Sequence, residues 1–442
     1  METYFFKGKE NILDSDKKKV TELKNDSDIK KIKDAFLKVL DNKNLSFLLG
    51  SGCSSFEIER EKNGTKEKEN IQVGIPVMCP LAKEFYSLES FSKYRRWLKL
   101  FLKIDVEKEN FKTNLEVFLS TLHSLSFYYS ASTKNEISEK TYKRIEEIIK
   151  ETRYFLLKKV LNQDNISKGL DKPLLDIYKQ FYRKLLSRNS QLPRLNIFTT
   201  NYDLYSEKAM DLLGIHYVNG FTGGISKFFN PTIFNYALAE KMDLSQSKWN
   251  VIENFFYLYK IHGSVNWVEE GGENKLFKVK EIQDPTLEYL KNSKKEIMIY
   301  PTPLKYNASF GSPYSDLFRE FQRKLMINNN ILVTVGYSFS DEHINNLIFQ
   351  AFTIPSFRLI IIGNLGNSII ENQGQEDEEK NNIYKLFELN DPRIWIIGGK
   401  EDGKQPLHFF ERFVNEILPD LSNEDLDNKM ETTINNLKNL LK

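Results

Sequence analysis

The sequence predicts an α/β fold, in which a mostly parallel sheet is covered by helices on both faces and carries a mainly helical inserted module. Continuous apolar runs recur along the chain between amphipathic segments, which is typical of strands buried on both faces of a parallel sheet. Several of these runs end in small or polar residues, namely Gly50, Asn201, Gly336 and Gly363. Long helical patterns separate the first two runs, and they predict the inserted module.

Composition excludes several classes of function. The chain has 442 residues with 63 Lys and Arg against 61 Asp and Glu. This balance gives no overall attraction to nucleic acid, so no direct nucleic-acid binding is expected. Only Cys53 and Cys79 are present, which excludes a disulfide framework and a four-cysteine zinc site within one chain. There is no apolar leader and no run of about 20 apolar residues, so we expect a cytoplasmic protein without membrane association.

The N-terminal part contains one helix and one strand by pattern. Residues 1–28 are polar and rich in Lys and Asp, which predicts a loosely ordered lead-in. Apolar spacing over 29–40 predicts a helix with Asp28 as its N-cap. A strand is predicted at 45–49. The charge-dense segment 57–70 favours an exposed insertion rather than an element.

The remaining elements follow from the same two periodicities. Amphipathic patterns between 81 and 187 predict the helical module, and residues 421–442 a terminal amphipathic helix. Strand signals occur at 195–203, 255–267, 295–301, 329–338, 357–366 and 393–399. The predicted domains are a lead-in (1–28), an α/β core (29–80 and 188–405), the helical module (81–187) and a C-terminal helical tail (406–442).

Four strand ends carry the candidate chemistry, because ligands of open α/β sheets gather at the carboxyl ends of the strands. The first is Gly50-Ser51-Gly52, whose glycines allow close backbone approach and could aim N–H groups at a pyrophosphate. A tight turn explains this loop equally well. Ser55 stands where a dinucleotide fingerprint has its third glycine, which disfavours an ordinary dehydrogenase.

The second and third ends are more polar. Asn201 and Asp203 follow a strand and precede a helix, and capping would explain one of them but not both. His262 ends an aromatic-rich strand and precedes Gly263, so we expect it to face a cleft. Among the five histidines it is the best candidate for a general base.

The fourth end is the segment from Gly336 to Asp341. Ser338 and Ser340 precede a helix, and small donors at a helix N-terminus suit ribose hydroxyls or phosphate. Ordinary N-capping explains Ser340 and Asp341 just as simply. For Asp341 we prefer the capping interpretation.

Taken together, these stretches resemble the sirtuin (Sir2-like) superfamily, and more closely its bacterial antiphage-defence branch. The similar motifs, in the family's order, are G-A-G-x-S at Gly50–Ser54, G-I-P at Gly74–Pro76, T-x-N-x-D at Thr199–Asp203, H-G at His262–Gly263, G-[TY]-S at Gly336–Ser338, and the strand end G-N-L at 363–365. The resemblance spans about residues 30 to 400 and implies a Rossmann-like core.

Two departures from the family pattern bear on the reaction. Zinc-binding relatives carry two C-x-x-C pairs, which this chain lacks, and Val77–Pro80 stand where an arginine usually follows G-I-P. These departures disfavour the acyl-lysine reaction. The helical module takes the place of the small zinc module, and could cover the cleft or build an oligomer.

The resemblance implies NAD+ as substrate and no metal. It places the pyrophosphate on the Gly50–Ser54 loop and the nicotinamide ribose between Asn201, Asp203 and His262. Asn201 would position water or the ribose, His262 would accept a proton, and Asp203 would bind the carboxamide or order the network. The residues assigned to NAD+ binding are Gly50, Ser51, Gly52, Ser54, Thr200, Tyr202, Gly336, Ser338 and Asn364.

The implied function is an NAD+ glycohydrolase, an antiphage effector that depletes NAD+ by releasing nicotinamide and ADP-ribose. A homo-oligomer and a HerA-type hexameric ATPase are the implied partners. Two alternatives stay open: an NAD-dependent protein deacylase, and a non-catalytic NAD or ADP-ribose-binding subunit of a defence complex. A peptide assay with acetyl-lysine would identify the first, and the joint presence of Asn201, Asp203 and His262 argues against the second.

Overall fold

The computed structural model describes residues 3–13, 28–61, 68–132, 135–240, 251–269, 279–292, 312–366, 381–401 and 404–420. The strands within these ranges are β1 (Tyr4–Lys7), β2 (Glu10–Asn11), β3 (Asn44–Leu49), β4 (Glu57–Glu61), β5 (Lys68–Gln72), β6 (Asn196–Thr199), β7 (His216–Val218), β8 (Phe221–Thr222), β9 (Lys227–Phe229), β10 (Phe255–Lys260), β11 (Trp267–Glu269), β12 (Val279–Glu281), β13 (Asn330–Val335), β14 (Arg358–Ile362) and β15 (Ile394–Gly398).

Helices occupy most of the remaining described chain. They are α1 (Asp28–Leu40), α2 (Met78–Ser87), α3 (Glu89–Phe101), α4 (Glu109–Lys112), α5 (Leu115–Ala131), α6 (Glu136–Leu161), α7 (Gln163–Ile166), α8 (Lys172–Leu186), α9 (Tyr205–Leu212), α10 (Leu287–Asn292), α11 (Tyr314–Leu325), α12 (Glu342–Ala351), α13 (Asn382–Glu388) and α14 (Phe410–Arg412). Short 3₁₀ helices span Ser51–Cys53 and Pro231–Asn235, and a π-helical turn spans Phe413–Ile417.

Nine of the described strands form one sheet, in the order β2-β1-β15-β14-β13-β3-β6-β10-β7. Every neighbouring pair from β15 to β7 is parallel. Only β1 and β2, at one edge, run antiparallel to their neighbours. The predicted α/β class, with its mostly parallel sheet, is confirmed.

Helices cover both faces of this sheet, because successive strand residues point to opposite sides. Phe47 of β3 packs into a cluster with residues of α1 and α8, whereas the adjacent Leu48 packs with residues of α11 and α12. Ile197 and Phe198 of β6 divide between the same two clusters. All four side chains are buried, which explains why the strands appear in the sequence as continuous apolar runs.

The strand order reverses next to β3, and this reversal defines the switch crevice, the space between the loops that follow β3 and β13. From β3 the chain adds β6 and β10 on one side, and then returns to place β13 on the other. Ligands of open α/β sheets bind where the order reverses in this way, outside the carboxyl ends of the strands.

Residues 1–28 were predicted to be a loosely ordered lead-in, and this is wrong for the N-terminal part, which forms β1 and β2. Tyr4 and Phe5 are buried, and the Tyr4 hydroxyl donates to the Gly363 oxygen (3.1 Å) and accepts from the Leu365 nitrogen (3.1 Å). The strand signal is only three aromatic residues long, and the surrounding charged residues conceal it.

The charged segment 57–70 was expected to form no element, and this prediction is also wrong. It contributes β4 and most of β5, which pair as an antiparallel hairpin with Ile58 opposite Ile71. A two-stranded ribbon can be open to water on both faces. It therefore needs no apolar alternation of the kind that identifies a strand in sequence.

The helical module has a core of its own, which includes the buried rings of Phe85, Phe91 and Phe118. Helix α8 lies within the predicted module (81–187) but packs on the sheet instead, because Phe181 lies in the same cluster as Phe47. In the described part of the tail, Phe413 packs against Phe36 of α1 at 5.5 Å between ring centroids.

Two predicted elements, the strand at 295–301 and the terminal helix at 421–442, lie outside the described residues. Of the helices that the structure describes, none combines the length and apolar character that crossing a membrane requires.

Candidate functional site

The switch crevice is built by direct contact between two glycine-containing loops. The Gly50 and Gly52 amides donate to the carbonyl oxygens of Val335 and Gly336, each at 2.9 Å. A Cβ on Gly50 would lie 2.3 Å from the Gly336 oxygen, and one on Gly336, where φ is +63°, would lie 2.5 Å from the Cys53 nitrogen. Glycine is required here because the two backbones touch.

This contact corrects the expected role of the first loop. Since the N–H groups of Gly50 and Gly52 are already bonded to carbonyls, they do not point at a pyrophosphate. Ser51 is exposed at the tip of the turn. The glycines instead bring the ends of β3 and β13 together, which shapes the crevice.

A buried polar network lies behind the loop, centred on Ser54, which is 2% exposed. Its Oγ donates to Oδ2 of Asp203 at 2.7 Å and lies 2.9 Å from the Tyr178 hydroxyl. It also accepts from Nδ2 of Asn201 at 3.2 Å. The structure thus brings together three of the predicted site residues, and adds Tyr178, which the sequence patterns did not identify.

Asn201 is held in one orientation by this network. Its Nδ2 also donates to the Gly50 oxygen at 3.0 Å, and its backbone N–H donates to Oγ1 of Thr199 at 3.0 Å. Because a carbonyl can only accept, the amide nitrogen must face Gly50. Oδ1 makes no hydrogen bond to any described residue, which leaves it as an acceptor for a ligand or water.

Asp203 faces inward and is 6% exposed. Besides accepting from Ser54, it accepts from the Tyr205 backbone N–H at 3.1 Å through Oδ1. Burial and then the Asp203 charge raise the pKa of the Tyr178 hydroxyl and of the Cys53 thiol. The Cys53 thiol donates to the Val335 oxygen at 3.2 Å. Of the two roles predicted for Asp203, the geometry favours ordering the network.

A buried ion pair, Lys260 with Glu207, contacts the loop that carries Asn201 and Asp203. Lys260, the last residue of β10, places Nζ 2.9 Å from Oε1 of Glu207, and the two side chains are 1% and 9% exposed. The ammonium also donates to the backbone oxygen of Asp203. Burial raises the pKa of Glu207, an effect that Lys260 opposes. Sequence reasoning missed both residues.

His262 follows β10 at the same edge of the sheet, and its side chain is 14% exposed. Nε2 lies 2.9 Å from Oδ2 of Asp341, and the ring centroid lies 6.3 Å from that of Tyr202. The Val265 amide donates to the Tyr202 oxygen at 2.9 Å, which ties the His262 loop to the Asn201 loop. That His262 faces a cleft stays a prediction.

Asp341 is the N-cap of α12, as predicted, since its Oδ1 accepts from the amides of His343 (3.0 Å) and Ile344 (3.3 Å). The capping interpretation was incomplete, however, because Oδ2 faces His262. No spacing in the sequence indicates this second contact.

The other predicted binding residues lie along the same edge. Ser338 and Ser340 are exposed after β13, with their hydroxyls 2.7 Å apart. Asn364 is exposed after β14, where its Oδ1 accepts from the Gly366 amide at 3.0 Å. The Thr200 amide donates to the Leu49 oxygen at 3.1 Å. Ser338 and Asn364 are therefore exposed at this edge, whereas the Thr200 backbone is part of the sheet edge.

A cavity of about 790 Å³ separates Gly74 and Pro76 from the helical module. Asn162 forms part of its wall, and Nδ2 of this residue donates to the Val73 oxygen and to the Tyr205 hydroxyl, each at 2.8 Å. The helical module is thus connected to the polar network through Tyr205.

Comparison with known proteins gives one match. A sequence model described as a SIR2-like domain matches residues 195–356, which include Asn201, Asp203, His262 and Asp341 but not the Gly50 loop. No curated protein matches the chain. Within the described residues there is no group of three or more His, Cys, Asp or Glu side chains that could hold a metal ion. The matched part of the chain, which includes the β13 side of the switch crevice, is similar to a SIR2-like domain, a kind of domain that binds NAD+ and is associated with NAD-utilising enzymes.

Proposed function

We propose that the protein is an NAD+ glycohydrolase that converts NAD+ and water to nicotinamide and ADP-ribose. One observation supports this above the others: the edge that carries the SIR2-like match holds a histidine paired with a carboxylate, and also an asparagine whose Oδ1 makes no hydrogen bond to any described residue. A base and a fixed acceptor are the two groups that a water nucleophile requires.

In the proposed reaction the bond between C1′ of the ribose and the nicotinamide nitrogen breaks. Its electron pair moves to that nitrogen, which neutralises the pyridinium, and the ribose passes through an oxocarbenium-like state. Oδ1 of Asn201 accepts a hydrogen bond from the water or from a ribose hydroxyl. The water oxygen bonds to C1′, and His262 takes the released proton through Nδ1 before passing it to solvent.

The test is the release of nicotinamide from NAD+ by the wild type, His262→Ala and Asn201→Ala. Loss of the base is expected to lower turnover by about 10²–10⁴-fold, while NAD+ binding measured by calorimetry is kept. His216→Ala is the matched control, because His216 is exposed at the opposite, amino end of edge strand β7. Equal rates in all four proteins would contradict the proposal, and release that requires an acetyl-lysine peptide would favour a deacylase.

We further propose that the enzyme is an antiphage effector that works as an oligomer beside a HerA-type hexameric ATPase. The resemblance supports this, and so do apolar side chains exposed on the helical module, among them Phe101, Phe127, Tyr128 and Ile137 at 63–79% exposure. Purification with such an ATPase from the same genome should give co-elution and a gain in NAD+ turnover. If neither is seen, the partner proposal is wrong.

A further inference from the structure

The segment that joins β13 to α12 contains a strained backbone conformation. Gly336 and Phe339 both have left-handed backbones, with φ of +63° and +56°. For a bulky residue this conformation is strained, and it persists only where the surroundings require it. Phe339 is 1% exposed, and its carbonyl oxygen accepts from the side-chain amides of Asn345 (2.8 Å) and Asn382 (2.7 Å).

This strained segment places Asp341 across the sheet edge from His262. In the sheet order, β3 and β6 lie between β13 and β10, so the pair spans the strand ends of four neighbouring strands. The carboxylate divides its two oxygens between the helix and the histidine. Capping alone does not require Oδ2 to lie 2.9 Å from Nε2, and serine or asparagine would cap as well.

The pairing determines which ring nitrogen can act. A carboxylate is an acceptor, so the proton of the neutral ring is held on Nε2. Nδ1 then carries the lone pair, and it makes no hydrogen bond to any described residue.

We propose that Asp341 is a positioning residue for the reaction: it holds Nε2–H of His262 and thereby makes Nδ1 the base. This inference rests on the proposed function, and it adds a residue whose capping role had seemed sufficient. Asp341 acts only through His262 and does not contact the reacting atoms.

Asp341→Ser and Asp341→Asn separate the two roles, because Ser and Asn cap helices about as well as Asp does. Both variants should unfold at nearly the wild-type denaturant concentration. Nicotinamide release should fall in kcat by about 10²-fold or more, with KM little changed. Asn114→Ala is the matched control: Asn114 also caps a helix through two amides, Glu116 (2.9 Å) and Val117 (3.2 Å), so its loss should lower stability and leave kcat unchanged.

A double variant tests whether Asp341 acts through the histidine. In the His262→Ala background, Asp341→Ser should cause no further loss, since the two residues form one unit. Losses that multiply in the double variant, or wild-type kcat in Asp341→Ser, would overturn the proposal.

A measurement without substrate keeps this proposal distinct from the proposed function. In protein labelled with [¹⁵N]histidine, whose five histidines allow assignment by His262→Ala, the Nε2–H of His262 should give a downfield proton resonance protected from exchange. Asp341→Ser should abolish that resonance. If the resonance is absent from the wild type or persists in the variant, the pairing is wrong. A wild type that shows the resonance but releases no nicotinamide, either alone or with the ATPase, would refute the glycohydrolase and leave the pairing established.

Discussion

Lys260→Met should destabilise the fold by about 3–5 kcal/mol, because it leaves the buried Glu207 carboxylate without its partner. The Lys260 side chain is 1% exposed, and its ammonium also donates to the Asp203 carbonyl. The substitution should therefore disturb the loop that carries Asn201 and Asp203 as well as lower stability. Denaturant unfolding monitored by circular dichroism measures the difference. The deficit should shrink as the pH falls, since a protonated Glu207 needs no cation.

The control replaces both members of the pair. Lys260→Met with Glu207→Leu should recover most of the loss, with about 1–3 kcal/mol remaining for the Asp203 carbonyl that loses its donor. Lys140→Met, which removes an exposed pair with Glu136 (75% and 81% exposed), should cost less than about 0.5 kcal/mol. A Lys260→Met protein as stable as the Lys140 variant would show that the buried pair contributes nothing.

Gly50→Ala should separate the loops of the switch crevice. The backbone of Gly50, with φ of −101°, is one that alanine adopts freely, so the effect is purely steric. The new Cβ would lie 2.3 Å from the Gly336 oxygen and 2.6 Å from the Tyr337 Cα, and backbone atoms cannot move aside as side chains do. We expect a loss of stability of about 1–3 kcal/mol or more.

The same substitution should lower nicotinamide release by about 10²-fold, because an ångström of misplacement at a catalytic group is enough for such a loss. The link is direct, since the Gly50 oxygen holds Nδ2 of Asn201. Gly224→Ala is the control, as no atom lies within 4 Å of the added Cβ and its φ is unexceptional. Wild-type turnover and stability in Gly50→Ala would refute the proposed contact between the two backbones.

The sequence predicts the core of the fold well because strands buried on both faces are runs of mostly apolar residues. The parallel strands β3, β6, β10, β13 and β14 all coincide with predicted runs, and their carboxyl ends carry the predicted site. The elements that were missed lack that signal: β1 has three aromatic residues among charges, and the ribbon of β4 and β5 is itself charged.

The candidate site residues are indicated in the sequence by their type, whereas most of their contacts are not. Asn201 and His262 stand out because polar residues are unusual directly after apolar strands. Lys260 does not stand out, because a lysine at a strand end ordinarily reaches solvent. Its partner Glu207 lies in the first turn of α9, where an acidic residue is expected for the helix dipole. Asp341 has a sufficient local role as a cap. In each case the decisive partner lies far away in the chain, and only the folded sheet places the two together.

Strand β1 pairs with β15, with Tyr4 opposite Gly398, so β1 can join the sheet only after β15 has been synthesised. A nascent chain that ends after His262 already contains Ser54 and Asn201, but it lacks Gly336 and Asp341, which complete the edge. The first strand cannot find its partner until almost the whole described chain has been made. The candidate site, and with it any activity that depends on it, can therefore form only late in synthesis, after Gly336 and Asp341 have been made.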